Sequence, residues 1–153
     1  MIFTPNDLRE FLAVCKADIA EINMVKPVID DSQMAKEVSQ MHVADNLLLV
    51  GVLPDYASDS DGDDALMMGN TLDFLILKKV EYSNLSSDDF IDVMHETAMV
   101  SRKFIERLIQ EKNNPNTCPK FYFLNESSIQ MQPVWAKAGT NGYMISFNLR
   151  TDL

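Results

Sequence analysis

Residues 71–82, TLDFLILKKVEY, alternate as a strand does: Leu72, Phe74, Ile76 and Val80 share one face with Lys78, and Thr71, Asp73, Leu75, Leu77 and Lys79 share the other. Upstream, residues 47–54, LLLVGVLP, run apolar from Leu47 to Leu53 and stop at Pro54. A run that short, closed by proline, fits a strand buried on both faces better than a helix. Gly51 in its middle signals a bulge or a close backbone approach. The two strands predict an antiparallel hairpin, and the about sixteen residues between them far exceed the usual hairpin loop of about 2–5.

That connection holds the acidic run DYASDSDGDD, residues 55–64, with five acids and no base. Half of the net charge of −10 lies there. A self-repelling block of this kind reads as a solvated, mobile hairpin loop spanning about 55–69. A calcium loop is the competing reading. With Gly62 as the turn glycine, Asp59 and Asp61 fall at the third and fifth ligand positions, but Ala57 and Met68 occupy the first and twelfth. The bidentate glutamate is therefore missing, and no metal is expected.

Helices flank the hairpin. Thr4 caps, Pro5 suits the first helical position and Asp7 completes a capping-box pattern. Leu8, Phe11, Leu12, Cys15, Ile19 and Ile22 then predict one helix from about 5 to 24, ended by Pro27. In 28–46, Asp31 or Ser32 could start a short helix through Met34, Val38 and Met41, or the segment is irregular. The second long helix starts at Ser86 or Ser87. Its early acids (Asp88, Asp89, Asp92) and later bases (Arg102, Lys103, Arg107, Lys112) complement the helix dipole. Phe90, Met94, Ala98, Ser101, Ile105 and Leu108 form its stripe, which Ile91, Val100, Phe104 and Ile109 broaden. The run from Asn113 to Asn116 ends it.

Three short strands are expected after that helix: residues 121–124, residues 129–135, and an alternating last strand with Tyr143, Ile145, Phe147 and Leu149 on one side and Met144, Ser146, Asn148 and Arg150 on the other. Lys137 to Gly142, with Gly139 and the Asn141-Gly142 pair, is the turn signal before the last strand. The order predicts one α+β domain, residues 1–153, with a mostly antiparallel sheet of about five strands and two long helices packed on one face.

The 153 residues are 46% hydrophobic and 24% charged, the profile of a single core-forming domain. No apolar run approaches the roughly 20 residues that span a bilayer, and the start shows no basic signal-peptide region. Two cysteines make no disulfide framework and fit a reducing compartment, so the expected location is cytoplasmic. The acidic balance argues against nucleic acid and anionic membranes as partners.

No catalytic constellation emerges, and the expectation is a protein that is not an enzyme and uses no cofactor. His95-Glu96 is followed by Met99 where a zincin needs a second histidine. Cys15 lies on an apolar stripe and reads as core; Cys118 reads as exposed, with no histidine placed near it as a base. The ten methionines read first as core filler. The competing reading is an adaptable contact surface at Met67-Met68, Met131 and Met144. Trp135, Tyr122 and Tyr143 are residue types enriched in interfaces and equally at home in a sheet core. The interface candidates are Trp135, Met144 and Met131.

The ending SIQMQPVWAKAGTNGYMISFNLRTDL, residues 128–153, and the order helix, long-tipped hairpin, helix, closing hairpin resemble small phage tail-completion and tail-terminator-like proteins. The resemblance implies a ring-forming structural component, a tail or neck homo-oligomer in a virion or its host's cytoplasm, whose subunits meet through sheet edges and loops. It transfers no functional residue. The alternatives are a small acidic adaptor or regulator docking a basic partner and, third, an unrecognised enzyme.

Overall fold

Thr4 and Asp7 close the predicted capping box: the Asp7 carboxylate accepts from the Thr4 amide at 2.6 Å, and Thr4 Oγ1 accepts from the Asp7 amide at 3.3 Å. The computed structural model describes residues 1–60, 62, 66–81, 83, 85–114 and 118–152. Helix α1 runs Pro5–Asp18 and buries Leu8, Phe11, Leu12 and Cys15. It ends six residues before the expected position 24, because the backbone turns extended at Ile19. Ile19 and Ile22 stay buried from the following turn, so the apolar spacing outlasts the helix.

The chain then forms a strand absent from the sequence reading, β1 (Met24–Val28), with Pro27 inside it. Proline is tolerated there because β1 is an outer strand, where a missing N–H need not break the ladder. Helix α2 (Asp31–Ser39) follows, capped one residue earlier than expected by Asp30, whose carboxylate accepts from the Gln33 amide at 2.9 Å. Met34, Val38 and Met41 are buried as the helical reading required. Lys79 Nζ donates to the carbonyls of Val38 and Met41 at 3.1 and 2.6 Å, tying the end of α2 to the sheet.

Strand β2 (Leu48–Val52) pairs parallel with β1 and antiparallel with β4 (Met67–Lys79), confirming the expected hairpin. A Cβ on Gly51 would stand 2.9 Å from Leu8 Cδ1 and 3.1 Å from Leu12 Cδ1, so the glycine serves a close approach of α1. The acidic connection needs correction. Residues Asp55–Ser58 form β3, paired with Met68–Thr71 at the start of β4, so both flanks of the expected 55–69 loop are strand. Tyr56 Oη donates to the Phe3 carbonyl at 2.7 Å, and the Phe3 amide donates to buried Asn70 Oδ1 at 2.8 Å. Those flanks hold the N-terminal segment. Asp61, Asp63 and Asp64, and Tyr82 of the expected second strand, lie outside the described residues.

Helix α3 (Ser87–Asn113) starts from a Ser86–Asp89 capping box. Its buried line runs Val93, Thr97, Val100, Ser101, Phe104 and Leu108, turned from the expected stripe; Phe90, Met94, Ala98 and Ile105 are only half-buried. Buried Thr97 and Ser101 give their hydroxyl protons to the carbonyls of Val93 and Thr97, at 2.9 and 2.8 Å. The rotation is affordable because those polar groups are satisfied within the helix.

Two long strands, not three short ones, finish the chain. Pro119–Phe123 is a 3-10 helix, then β5 (Leu124–Lys137) pairs antiparallel with β6 (Thr140–Asp152). The turn falls at Ala138-Gly139, both with positive φ, while Asn141-Gly142 sits inside β6.

Among the described residues the sheet has six strands in the order β1-β2-β4-β6-β5, with β3 beside β4, and only the β1–β2 pair is parallel. Both long helices lie on one face. There Phe11, Phe74, Phe104, Phe121 and Phe147 pack together, with Phe11 and Phe121 centroids 4.5 Å apart and Phe74 stacked on Phe147 at 5.7 Å. The short α2 covers part of the other face through Met34, Val38 and Met41 over Leu48, Val50, Leu75 and Leu77.

Candidate functional site

Strand β5 is the outer strand of the sheet, fourteen residues long, hydrogen-bonded to β6 alone and exposed over most of its length. Pairing of Met131 with Ile145 and of Pro133 with Tyr143 sets Met131 and Pro133 on the α3 face, and Trp135, within the irregularity between Val134 and Lys137, stands on the same side beside the start of α3. Trp135 is 72% exposed and Met131 37%. Trp135 borders a shallow hollow of about 310 Å3 with Leu85, Ser86, Ser87, Phe90 and Ile91 at the start of α3. Ile91 is itself 62% exposed. At the other end of β5, exposed Tyr122 and Phe123 meet edge to face at 5.6 Å. Aromatic and apolar side chains thus mark both ends of one unpaired sheet edge.

Of the three candidates read from the sequence, the structure brings Trp135 and Met131 onto one side. Met144 lies on the opposite face, half-buried against the second core with Leu75 and Val134. Met67 and Met68 are half-buried in β4. Sequence reading named Tyr122 as an interface residue type without making it a candidate, and passed over Phe123 and Ile91, because it placed residues 121–124 in a strand and Ile91 on the broad apolar surface of a packed helix. The exception to regular alternation across residues 121–124 was the available signal.

Pro133 has a second consequence. On a strand paired on one side only, a proline is accommodated when its nitrogen points away from the partner. The outward edge of β5 therefore offers no N–H at its Pro133 position. Pro27 does the same on β1, the opposite outer strand.

The remaining candidates for chemistry are pinned by ordinary partners. Asp59 pairs with Arg150 at 3.2 Å, and Arg150 also donates to the Asp59 carbonyl at 3.0 Å. His95 and Met99 are exposed on α3, and Glu96 pairs with Lys78. Cys118, expected to be exposed, is 2% exposed; its amide donates to Glu111 Oε1 at 3.0 Å, and burial pushes its thiol up to about 11. Cys15 is buried as expected, and burial raises its thiol well above the ordinary range. Glu111 Oε2 meets Arg107 at 2.7 Å, and Arg107 reaches Asp18 at 2.8 Å, bracing α3 against the end of α1. Among the described residues no group of three or more His, Cys, Asp or Glu is set to hold a metal, and no helix is long and apolar enough to cross a membrane.

Compared with protein-family models and with characterised proteins, the chain matches none.

Proposed function

We propose that this chain is a non-enzymatic structural protein that works as a homo-oligomer, with subunits meeting through the C-terminal hairpin. The observation that carries this reading is the outer strand β5, whose exposed edge has Trp135 near one end, Met131 in its middle and Tyr122 and Phe123 just before the other end. Long exposed edges with apolar side chains are normally blunted or covered. Interface cores are depleted in charge and enriched in Trp, Tyr, Phe and Met, and β5 carries two charged residues, Glu126 and Lys137, among fourteen. A tryptophan buries about 150–250 Å2 when covered. A stable interface needs about 800 Å2 per partner, so the whole edge must take part and not Trp135 alone.

The resemblance to small phage tail-completion and tail-terminator-like proteins supports a tail or neck component as the kind of assembly. Light scattering after size exclusion tests the core of the proposal. A discrete species of several subunits supports it, and a monomer at high concentration favours the acidic adaptor.

A further inference from the structure

We propose that Trp135 docks in a hollow at the opposite edge of the sheet of a second copy, so that subunits join head to tail. This rests on the homo-oligomer reading above and names the surface that the β5 edge meets. The hollow, about 330 Å3, is lined by Pro5, Asn6, Arg9, Pro27, Gln33 and Leu53. Pro27 belongs to β1, and Pro5, Asn6 and Arg9 to the first turns of α1. Trp135 belongs to β5, the outer strand at the far side. The hollow lies at the sheet edge between α1 and Gln33 of α2, and Pro27 shares a row across the sheet with Gly51, Phe74, Ile145 and Met131, so a β5 edge set beside β1 in the same orientation and slid by about four residues, roughly 13 Å, brings the indole to the hollow.

Three observations choose this occupant. The first is chemistry: two prolines and a leucine offer C–H groups to an aromatic face, and the Arg9 guanidinium adds a cation beside it. The second is charge. Arg9 is the charged residue among those lining the hollow, while the turn of α3 beside Trp135 carries Asp88 and Asp89. Opposite charges therefore flank the knob and the socket. The third is the backbone. Pro27 and Pro133 each withhold an N–H from an incoming strand, which interrupts a shared ladder at those positions and leaves side chains to carry the contact there. A knob on one edge and a socket on the other is a heterologous contact, which generates a ring when the rotation between subunits closes.

Two exposed substitutions separate the alternatives, Trp135→Glu on the knob and Arg9→Glu on the socket. Each alone is expected to be a folded monomer by circular dichroism and light scattering. Mixed in equal amounts at high concentration they are expected to form a dimer of twice the monomer mass, because one intact Trp135 meets one intact hollow. The single tryptophan reports the same event: its emission shifts to the blue on assembly of the wild type, and Arg9→Glu abolishes the shift. An assembled wild type whose two variants stay monomeric on mixing overturns the head-to-tail docking and leaves the homo-oligomer standing. Unimpaired assembly of Arg9→Glu overturns the docking as well. A monomeric wild type overturns both.

Discussion

Gly142 lies so close to Ile76 on the neighbouring strand that a Cβ at Gly142 would fall 1.9 Å from the Ile76 carbonyl oxygen. Strand β6 can cross β4 here only without a side chain. Gly142→Ala is therefore expected to destabilise the fold by about 3 kcal/mol or more, the upper end of overpacking costs. Gly139 sits in open space with φ +77, so Gly139→Ala carries only left-handed backbone strain, roughly 1–2 kcal/mol. Urea unfolding of the two variants should rank them in that order; equal effects would show that β6 moves away from β4.

The Asn141-Gly142 pair shows why part of the closing hairpin was not legible. An Asn-Gly dipeptide between apolar stretches is a turn signal, yet here Asn141 is buried and its Oδ1 accepts from the Ala136 amide at 2.8 Å. The turn sits at Ala138-Gly139, on the first glycine of the expected 137–142 turn segment, where Gly139 takes φ +77. Capping residues were legible at Thr4 and Ser86 because their partners lie three residues away. Strand β1 was not, because its pairing with β2 is a distant event and Pro27 argues locally against a strand. The same limit applies to the candidate site. Trp135 and Met131 stood out by residue type, but only the three-dimensional arrangement puts Met144 on the other face and Tyr122 in solvent.

Met144→Glu is expected to destabilise the monomer, since Met144 packs against Val134 and the core under α2. On the helical face, Ile145→Ala, Phe147→Ala and Leu149→Ala each remove a buried side chain and are expected to cost roughly 2–5 kcal/mol. Half-buried Tyr143 stands at the end of the same row. Thermal unfolding checks the set, and a Met144→Glu protein as stable as wild type would remove Met144 from the core.

Both cysteines are expected to be silent to a thiol reagent in the folded protein. Each is buried, and burial favours the protonated thiol over the reactive thiolate. Titration with Ellman's reagent should find no reactive thiol under native conditions and both in urea. A fast native reaction at Cys118 would contradict its burial.

Acid should loosen the start of α1. Burial raises the Asp7 carboxyl, but the hydrogen bonds from Lys120 and Thr4 outweigh it and hold Asp7 below the ordinary aspartate range. A depressed folded value means that the carboxylate stabilises the fold above the unfolded value, near ~3.9, and that this contribution fades as pH falls through the folded one. Asp7→Asn should lower the melting temperature at pH 7 and leave it little changed near pH 2. An equal loss at both values would show that the side chain acts by packing and not by charge.

The most direct measurement is sedimentation velocity of the wild type and of Trp135→Glu at the same concentrations. Trp135 is mostly exposed, so its replacement leaves the core untouched. The expected result is one large species for the wild type and a folded particle of 17.3 kDa for the variant. A wild type that sediments as a 17.3 kDa monomer at every concentration, or a variant that assembles as the wild type does, would contradict the account.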